Sequence, residues 1–176
     1  MAVLSELNKS RVSYAVTGAA AASYYGNPRT TTDVDFIVRI VPQNLSRLLR
    51  ATENAGLKVD PARIRRQLET GYNVIRLRDK KSAYAVDFIV QQGPIQKRKG
   101  SMLGIPAYYQ APESLILAKL RMIRATMPPE RSLKDRSDIV SILANTRVDK
   151  HKVERSARRE STLEIFNEIN KRSPNR

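Results

Sequence analysis

Asp33-Val34-Asp35, inside the run TDVDFIV, constrains this chain more than any other feature. A segment so rich in β-branched and aromatic residues reads as a strand, and carboxylates at i and i+2 of a strand leave from one face. Like charges held that close repel each other, so the arrangement needs cations between or in front of them. Mg²⁺ meets the need, because it takes hard oxygen ligands and is commonly held by one or two carboxylates plus substrate phosphates. The string VDFIV returns at 86–90 in AYAVDFIV and places a third acid, Asp87, on a second strand-like run. Two amphipathic strands that happen to carry outward Asp residues are the plainer alternative. The glycine turn upstream and the third acid downstream weigh against it.

The totals narrow the classes of chemistry. The 176 residues suffice for one domain of ordinary size, or a small core with a helical extension. The absence of cysteine excludes disulfides, thiolate catalysis and Cys-ligated zinc or iron–sulfur sites. The single histidine, His151, stands in a charged C-terminal stretch and reads as a solvated residue. No apolar run approaches the length of a membrane span, and the N-terminus lacks a signal peptide's pattern, so a soluble, cytoplasmic protein without membrane partners is expected. Thirty-two Lys and Arg against seventeen Asp and Glu give a formal charge of +15. That excess favours polyanionic partners, nucleic acid first, although a basic surface also serves solubility alone. Residues 39–81 hold eleven Lys/Arg against four Asp/Glu, and Lys97, Arg98 and Lys99 extend the basic stretch. Tyr108 and Tyr109 follow, suited either to stacking on bases or to half-buried packing.

Apolar spacing and turn residues give the order of elements. A helix over 2–10 precedes a short buried strand, Tyr14-Ala15-Val16-Thr17, which Gly18 ends in a tight turn. An Ala-rich helix at 19–25 stops at Gly26, and the DxD strand spans 33–40, closed by Pro42. Helices are predicted at 44–54 and from Pro61 to near Gly71, then strands at 73–78 and 83–90 in a hairpin or meander. A basic loop carries residues 97–99, and a short strand at 105–109 leads into a helix at 112–126 that opens on Pro112. Helices at 131–144 and 149–172 complete the chain. The pattern predicts an α/β (α+β) fold, a small mixed β-sheet flanked by helices, with a core over 1–110 and a helical region over 111–176.

The order helix, strand, glycine turn, helix, DxD strand and later strand with a lone Asp resembles the polymerase-β-type nucleotidyltransferase superfamily. Its signature of an apolar residue, Gly, Gly or Ser, a spacer and an acid–apolar–acid triplet corresponds here to Thr17-Gly18-Ala19, thirteen residues, and Asp33-Val34-Asp35. The run Tyr25-Gly26-Asn27-Pro28-Arg29-Thr30-Thr31-Thr32-Asp33 is similar to that of small stand-alone members, including toxins of abortive-infection and toxin–antitoxin systems. Pro112 through Lys119, then Arg131 to Asp135 and Asp138, resemble the same group's C-terminal motifs. The chain departs from the pattern at Ala19, where the family often has a serine hydroxyl for a phosphate. Backbone N–H groups at the start of the helix remain as donors there.

The resemblance implies transfer of a nucleoside monophosphate from an NTP to an acceptor hydroxyl, with two Mg²⁺ ions, or Mn²⁺ in their place. Asp33 and Asp35 are the expected shared metal ligands, and Asp87 the ligand that completes the acceptor-side site. Gly18, Ala19, Arg29, Thr31 and Lys119 are the expected nucleotide-binding residues. Arg29 also suits a loop pairing with a surface acid, Lys119 also suits snorkelling to solvent, and Thr30 to Thr32 suit ordinary strand entry. Lys134 and Asp135 are expected as a structural ion pair. RNA, such as a tRNA-like end, is the favoured acceptor, and a cognate antitoxin is an expected protein partner. The alternatives are a protein-nucleotidylating enzyme and a binding protein that keeps the fold with weak or no turnover.

Overall fold

The computed structural model of the protein describes residues 2–41 and 44–172. Pro42, expected to close the DxD strand, lies outside them. The repeated string forms two neighbouring parallel strands, β2 (Val34–Arg39) and β4 (Ala85–Gln91), in register from Val34 opposite Val86 to Val38 opposite Val90. Equal sequence at equal register lets like side chains pack on like. The Phe36 and Phe88 rings stack with centroids 5.6 Å apart, and both are buried. The same register sets Asp35 beside Asp87 on the other face.

Strand β1 (Tyr14–Thr17) runs antiparallel to β2 and parallel to β6 (Ile105–Gln110). Strand β3 (Val74–Arg78) pairs antiparallel with β4, and β5 (Lys97–Met102) with β6. The result is a six-stranded mixed sheet of order β3-β4-β2-β1-β6-β5. The sheet belongs to the first of two compact units, Met1–Gly18 with Thr31–Gln110. Helices α1 (Ala2–Ser10), α3 (Leu45–Asn54) and α4 (Pro61–Glu69) belong to the same unit. Leu4, Leu7, Leu48, Leu49 and Ile64 supply their buried side chains. Asp60 caps α4 by accepting from the Arg63 N–H at 3.0 Å, with Pro61 at the first position, where the missing N–H costs nothing. Because α4 buries only Ile64, its arginines 63, 65 and 66 all face solvent.

The second unit is Ala19–Thr30 with Ala111–Arg176. Residues 19–30, expected with the 1–110 core, therefore cluster with the C-terminal helices. Helix α2 (Gly18–Tyr25) enters this unit at Ala19 and is followed in it by α5 (Pro112–Ala125), α6 (Leu133–Asn145), α7 (Lys150–Arg159) and α8 (Leu163–Arg172). Leu115, Ile116 and Leu120 of α5, Ile139 and Ile142 of α6, Val153 and Ala157 of α7, and Phe166 and Ile169 of α8 are all buried. Asn27 N–H donates to Ser141 Oγ at 2.6 Å and Thr146 Oγ1 donates to the Tyr25 carbonyl at 2.6 Å, tying the end of α2 to the end of α6. A Cβ on Gly26 would stand 2.9 Å from Ser141 Cβ, so glycine is needed there for close approach.

Two expected elements differ. Residues 97–99 are strand, not loop: β5 has no apolar alternation, yet Leu103 (φ 48) and Gly104 (φ 80) form a tight reversal that folds it onto β6. The single helix expected over 149–172 is broken at 160–162. Ser161 turns left-handed (φ 54), and the Thr162 N–H bonds back to the Ala157 carbonyl at 2.8 Å. The break lets both α7 and α8 bury an apolar face, which a straight helix presenting one stripe would not do.

Candidate active site

Gly18 joins β1 to α2 with φ +61, a conformation that suits glycine. Space demands glycine as well. A Cβ at this position would lie 2.0 Å from Asp35 Oδ2 and 3.0 Å from its Cγ. The carboxylate of Asp35 is thus pressed against the turn that begins α2. Thr17, the register partner of Asp35, donates its Oγ1 hydrogen to Gln110 Oε1 at 2.5 Å, and both residues are buried. That bond pins the end of β1 to β6 directly beneath the turn. Ala19, at the second position of α2, has only its backbone N–H to offer a phosphate.

Asp33 precedes β2 and shares the outward parity of Asp35. Its partner is Arg76, which stands opposite Asp87 in the β3–β4 ladder. Arg76 Nη2 donates to Asp33 Oδ2 at 3.3 Å and Nη1 to Asp87 Oδ2 at 3.0 Å, so one guanidinium bridges two of the three acids. The second oxygen of Asp87, Oδ1, is buried without a hydrogen-bond partner. Thr31, expected on nucleotide, is exposed, and its hydroxyl donates to the Asp33 carbonyl at 3.0 Å.

Among the described residues no three His, Cys, Asp or Glu side chains are drawn together as a ready metal cluster. The donor set nevertheless fits Mg²⁺. All three groups are hard carboxylates, one buried oxygen is unsatisfied, and a cation already lies between Asp33 and Asp87. Mg²⁺ held with substrate phosphates needs only one or two carboxylates, so a preassembled triad is not required.

The expected phosphate cations, Arg29 and Lys119, are in the second unit and have carboxylate partners there. Lys119 is buried, with Nζ 2.8 Å from Asp135 Oδ1 and 2.7 Å from Asp138 Oδ2. Arg29 grips Asp138 through Nε and Nη2, each bond 2.9 Å. Burial works to raise the Asp138 pKa, but hydrogen bonds and charge from Arg29 and Lys119 outweigh it and hold the group below the ordinary carboxylate value. Asp135 pairs with Lys119 rather than with Lys134 as expected. Consecutive helix positions point about 100° apart, so adjacent residues face different neighbours.

Tyr108 and Tyr109, suited by sequence either to base stacking or to packing, are packed. Tyr109 is buried and donates its hydroxyl to the Ser101 carbonyl at 2.9 Å. Tyr108 meets Tyr14 edge-on and carries Lys97 Nζ 4.1 Å above its ring. Lys97 also donates to the Tyr14 carbonyl at 3.2 Å, and burial pushes its pKa down. Of the basic stretch at 97–99, Lys97 therefore serves the sheet. Arg76 is the site residue absent from the sequence expectations. Its signal was the alternation in VIRLR, which puts Arg76 on an outward face, but pairing it with Asp87 requires the hairpin register.

No protein-family model and no curated protein matches the chain. Several solved structures are similar in fold. The antibiotic-resistance factor ANT(2'')-Ia superposes in a crystal structure with adenylyl-2''-tobramycin at a TM-score of 0.61 and 13% identity, over 91% of this chain and 94% of that one. Its solution structure gives a TM-score of 0.60 at 13% identity, over 96% and 93%. An antigenic nucleotidyltransferase-like protein from Paracoccidioides brasiliensis gives 0.54 at 18% identity, over 80% and 71%. The mixed sheet flanked by helices is a nucleotidyltransferase-like fold, and at these identities the likeness is one of fold.

Proposed function

We propose that the protein is a metal-dependent nucleotidyltransferase that moves a nucleoside monophosphate from an NTP to an acceptor hydroxyl. The observation that carries the proposal is the in-register placement of Asp35 and Asp87 on adjacent parallel strands, with Asp35 against the Gly18 turn. Asp33 and Asp35 would be the ligands shared by two Mg²⁺ ions, and Asp87 would complete the acceptor-side site. Metal held by these carboxylates would supply the positive charge that activates an acceptor oxygen and offsets the triphosphate and leaving pyrophosphate. Gly18 brings backbone close to a phosphate, with the Ala19 N–H as a donor at the helix start. Arg29 and Lys119 hold Asp138 and Asp135 in place rather than binding phosphate, because their charges are already matched.

RNA is the proposed acceptor class. The +15 charge and the exposed arginines of α4 favour a polyanion and oppose a polyamine such as an aminoglycoside. Within that class, the resemblance to stand-alone toxins supports a role in a toxin–antitoxin pair. The test is incubation with each labelled NTP, Mg²⁺ and total RNA, alongside Asp33→Asn, Asp35→Asn and Asp87→Asn. Label should pass to RNA with the parent protein alone. Asp87→Asn should still bind NTP while transfer falls by orders of magnitude. Label on protein would move the acceptor, and full transfer by the Asp35 variant would end the assignment.

A further inference from the structure

We infer that Arg76 is a built-in counter-cation that keeps the carboxylate site closed to a bare divalent ion and yields it when nucleotide arrives. The inference rests on the metal-dependent reading above. Three observations carry it. Arg76 is the cross-strand partner of Asp87, and its two terminal nitrogens divide between Asp87 and Asp33. It occupies the position that a cation shared by those acids would need. It also satisfies only half of Asp87, since Oδ1 stays buried and unpartnered while Oδ2 takes the guanidinium. Finally, the Arg76 side chain is 52% exposed on edge strand β3, so it can leave the carboxylates without unpacking the core.

Electrostatics gives the device its direction. A divalent ion arriving alone meets the Arg76 charge a few ångströms away and finds both acids already neutralised in part. A metal–triphosphate complex brings anionic oxygens with it, and a guanidinium binds those in the same forked geometry it uses for carboxylates. Arg76 then passes from carboxylate to phosphate as the metal takes its place. One substitution should therefore move two affinities in opposite senses. Arg76→Gln should bind Mn²⁺ without nucleotide about tenfold more tightly, the effect of removing one partly screened charge nearby. It should bind NTP in the presence of metal more weakly than the parent.

Mn²⁺ titration by electron paramagnetic resonance and NTP titration by calorimetry read these affinities without any turnover. Arg78→Gln is the control, because Arg78 is exposed on the same strand and pairs opposite Ala85, not an acid. Opposite shifts confined to Arg76→Gln support the inference. Both affinities falling together would reduce Arg76 to a structural pair and overturn it, as would equal shifts in the Arg78 variant. If Mn²⁺ binds and Asp87→Asn weakens it while Arg76→Gln changes nothing, the inference fails and the metal site stands. If neither the parent nor Arg76→Gln binds Mn²⁺ with or without NTP, the metal-dependent reading fails and the inference with it.

Discussion

Asp138→Asn removes one charge from a largely buried polar cluster of the second unit and leaves the side chain's shape. Asp138 and Lys119 side chains are each 7% exposed, and Arg29 is 35% exposed. In the parent, Asp138 Oδ1 accepts from Arg29 Nε, while Oδ2 accepts from Arg29 Nη2 and lies 2.7 Å from Lys119 Nζ. An amide offers one accepting oxygen and sets its NH₂ against a donor, so at least one cation loses its partner. Removing one member of a buried ion pair costs about 3–5 kcal/mol. The low end, about 3 kcal/mol, applies because Asp135 still matches Lys119 and water reaches Arg29. At about 2–4 °C per kcal/mol for a chain of this size, the melting temperature should fall by about 6–12 °C. Acid should erase the difference. The folded Asp138 pKa lies below its ordinary 3.8, so its contribution is fully present above that value and is lost as pH falls through the folded one. Asn does not titrate. The gap between parent and variant should hold from pH 7 to about 5, begin to narrow near about 4, and vanish as pH falls through the folded value. Calorimetry across that range is the assay. A melting shift under 2 °C at pH 7, or a gap that persists in acid, would refute the reasoning.

Gly18→Ala should destabilise the protein by about 1–2 kcal/mol for the left-handed backbone alone, and should displace Asp35, so transfer falls further than stability. Parent-like melting and turnover would show that the turn tolerates a Cβ. RNA affinity should fall steeply with salt, and reversing Arg63, Arg65 and Arg66 together should reduce the log–log slope by about 2, from three contacts at about 0.7 each. An unchanged slope would remove α4 from the interface.

The part of the fold written locally was legible. Alternation in TDVDFIV and AYAVDFIV marked two strands, and Gly18, Gly71 and Pro112 marked boundaries, because each acts on its own backbone. Strand β5 was not legible. KRKGSM has no apolar stripe, and the strand exists because the Leu103-Gly104 reversal and the β6 ladder provide its hydrogen bonds. The break between α7 and α8 was hidden for a similar reason. Charged residues line both helices, and only the burial of Val153 and Phe166 by other helices makes two short segments better than one long one.

The candidate site divides along the same line. Strand parity places Asp33 and Asp35 on one face from sequence alone, and the VDFIV echo hints that Asp87 joins them. The cations follow no local rule. Arg76 meets Asp87 only through the β3–β4 register, forty-three positions from its other partner, Asp33. Lys119 was conspicuous as a lone charge on an apolar helix, yet its destination depended on Asp138, one turn beyond Asp135 on α6. A carboxylate's position is set by its own strand, whereas the charge that answers it is chosen by packing. In this chain that choice gave a fixed, buried cluster around Asp138 and a half-exposed bridge at Arg76. A buried pair resists exchange because separating it strands a charge in a low-dielectric interior. A half-exposed pair on an edge strand loses little on parting. Of the two clusters, the one at Arg76 would part at the lower cost, and it holds two of the three acids that the proposed nucleotidyl transfer would use.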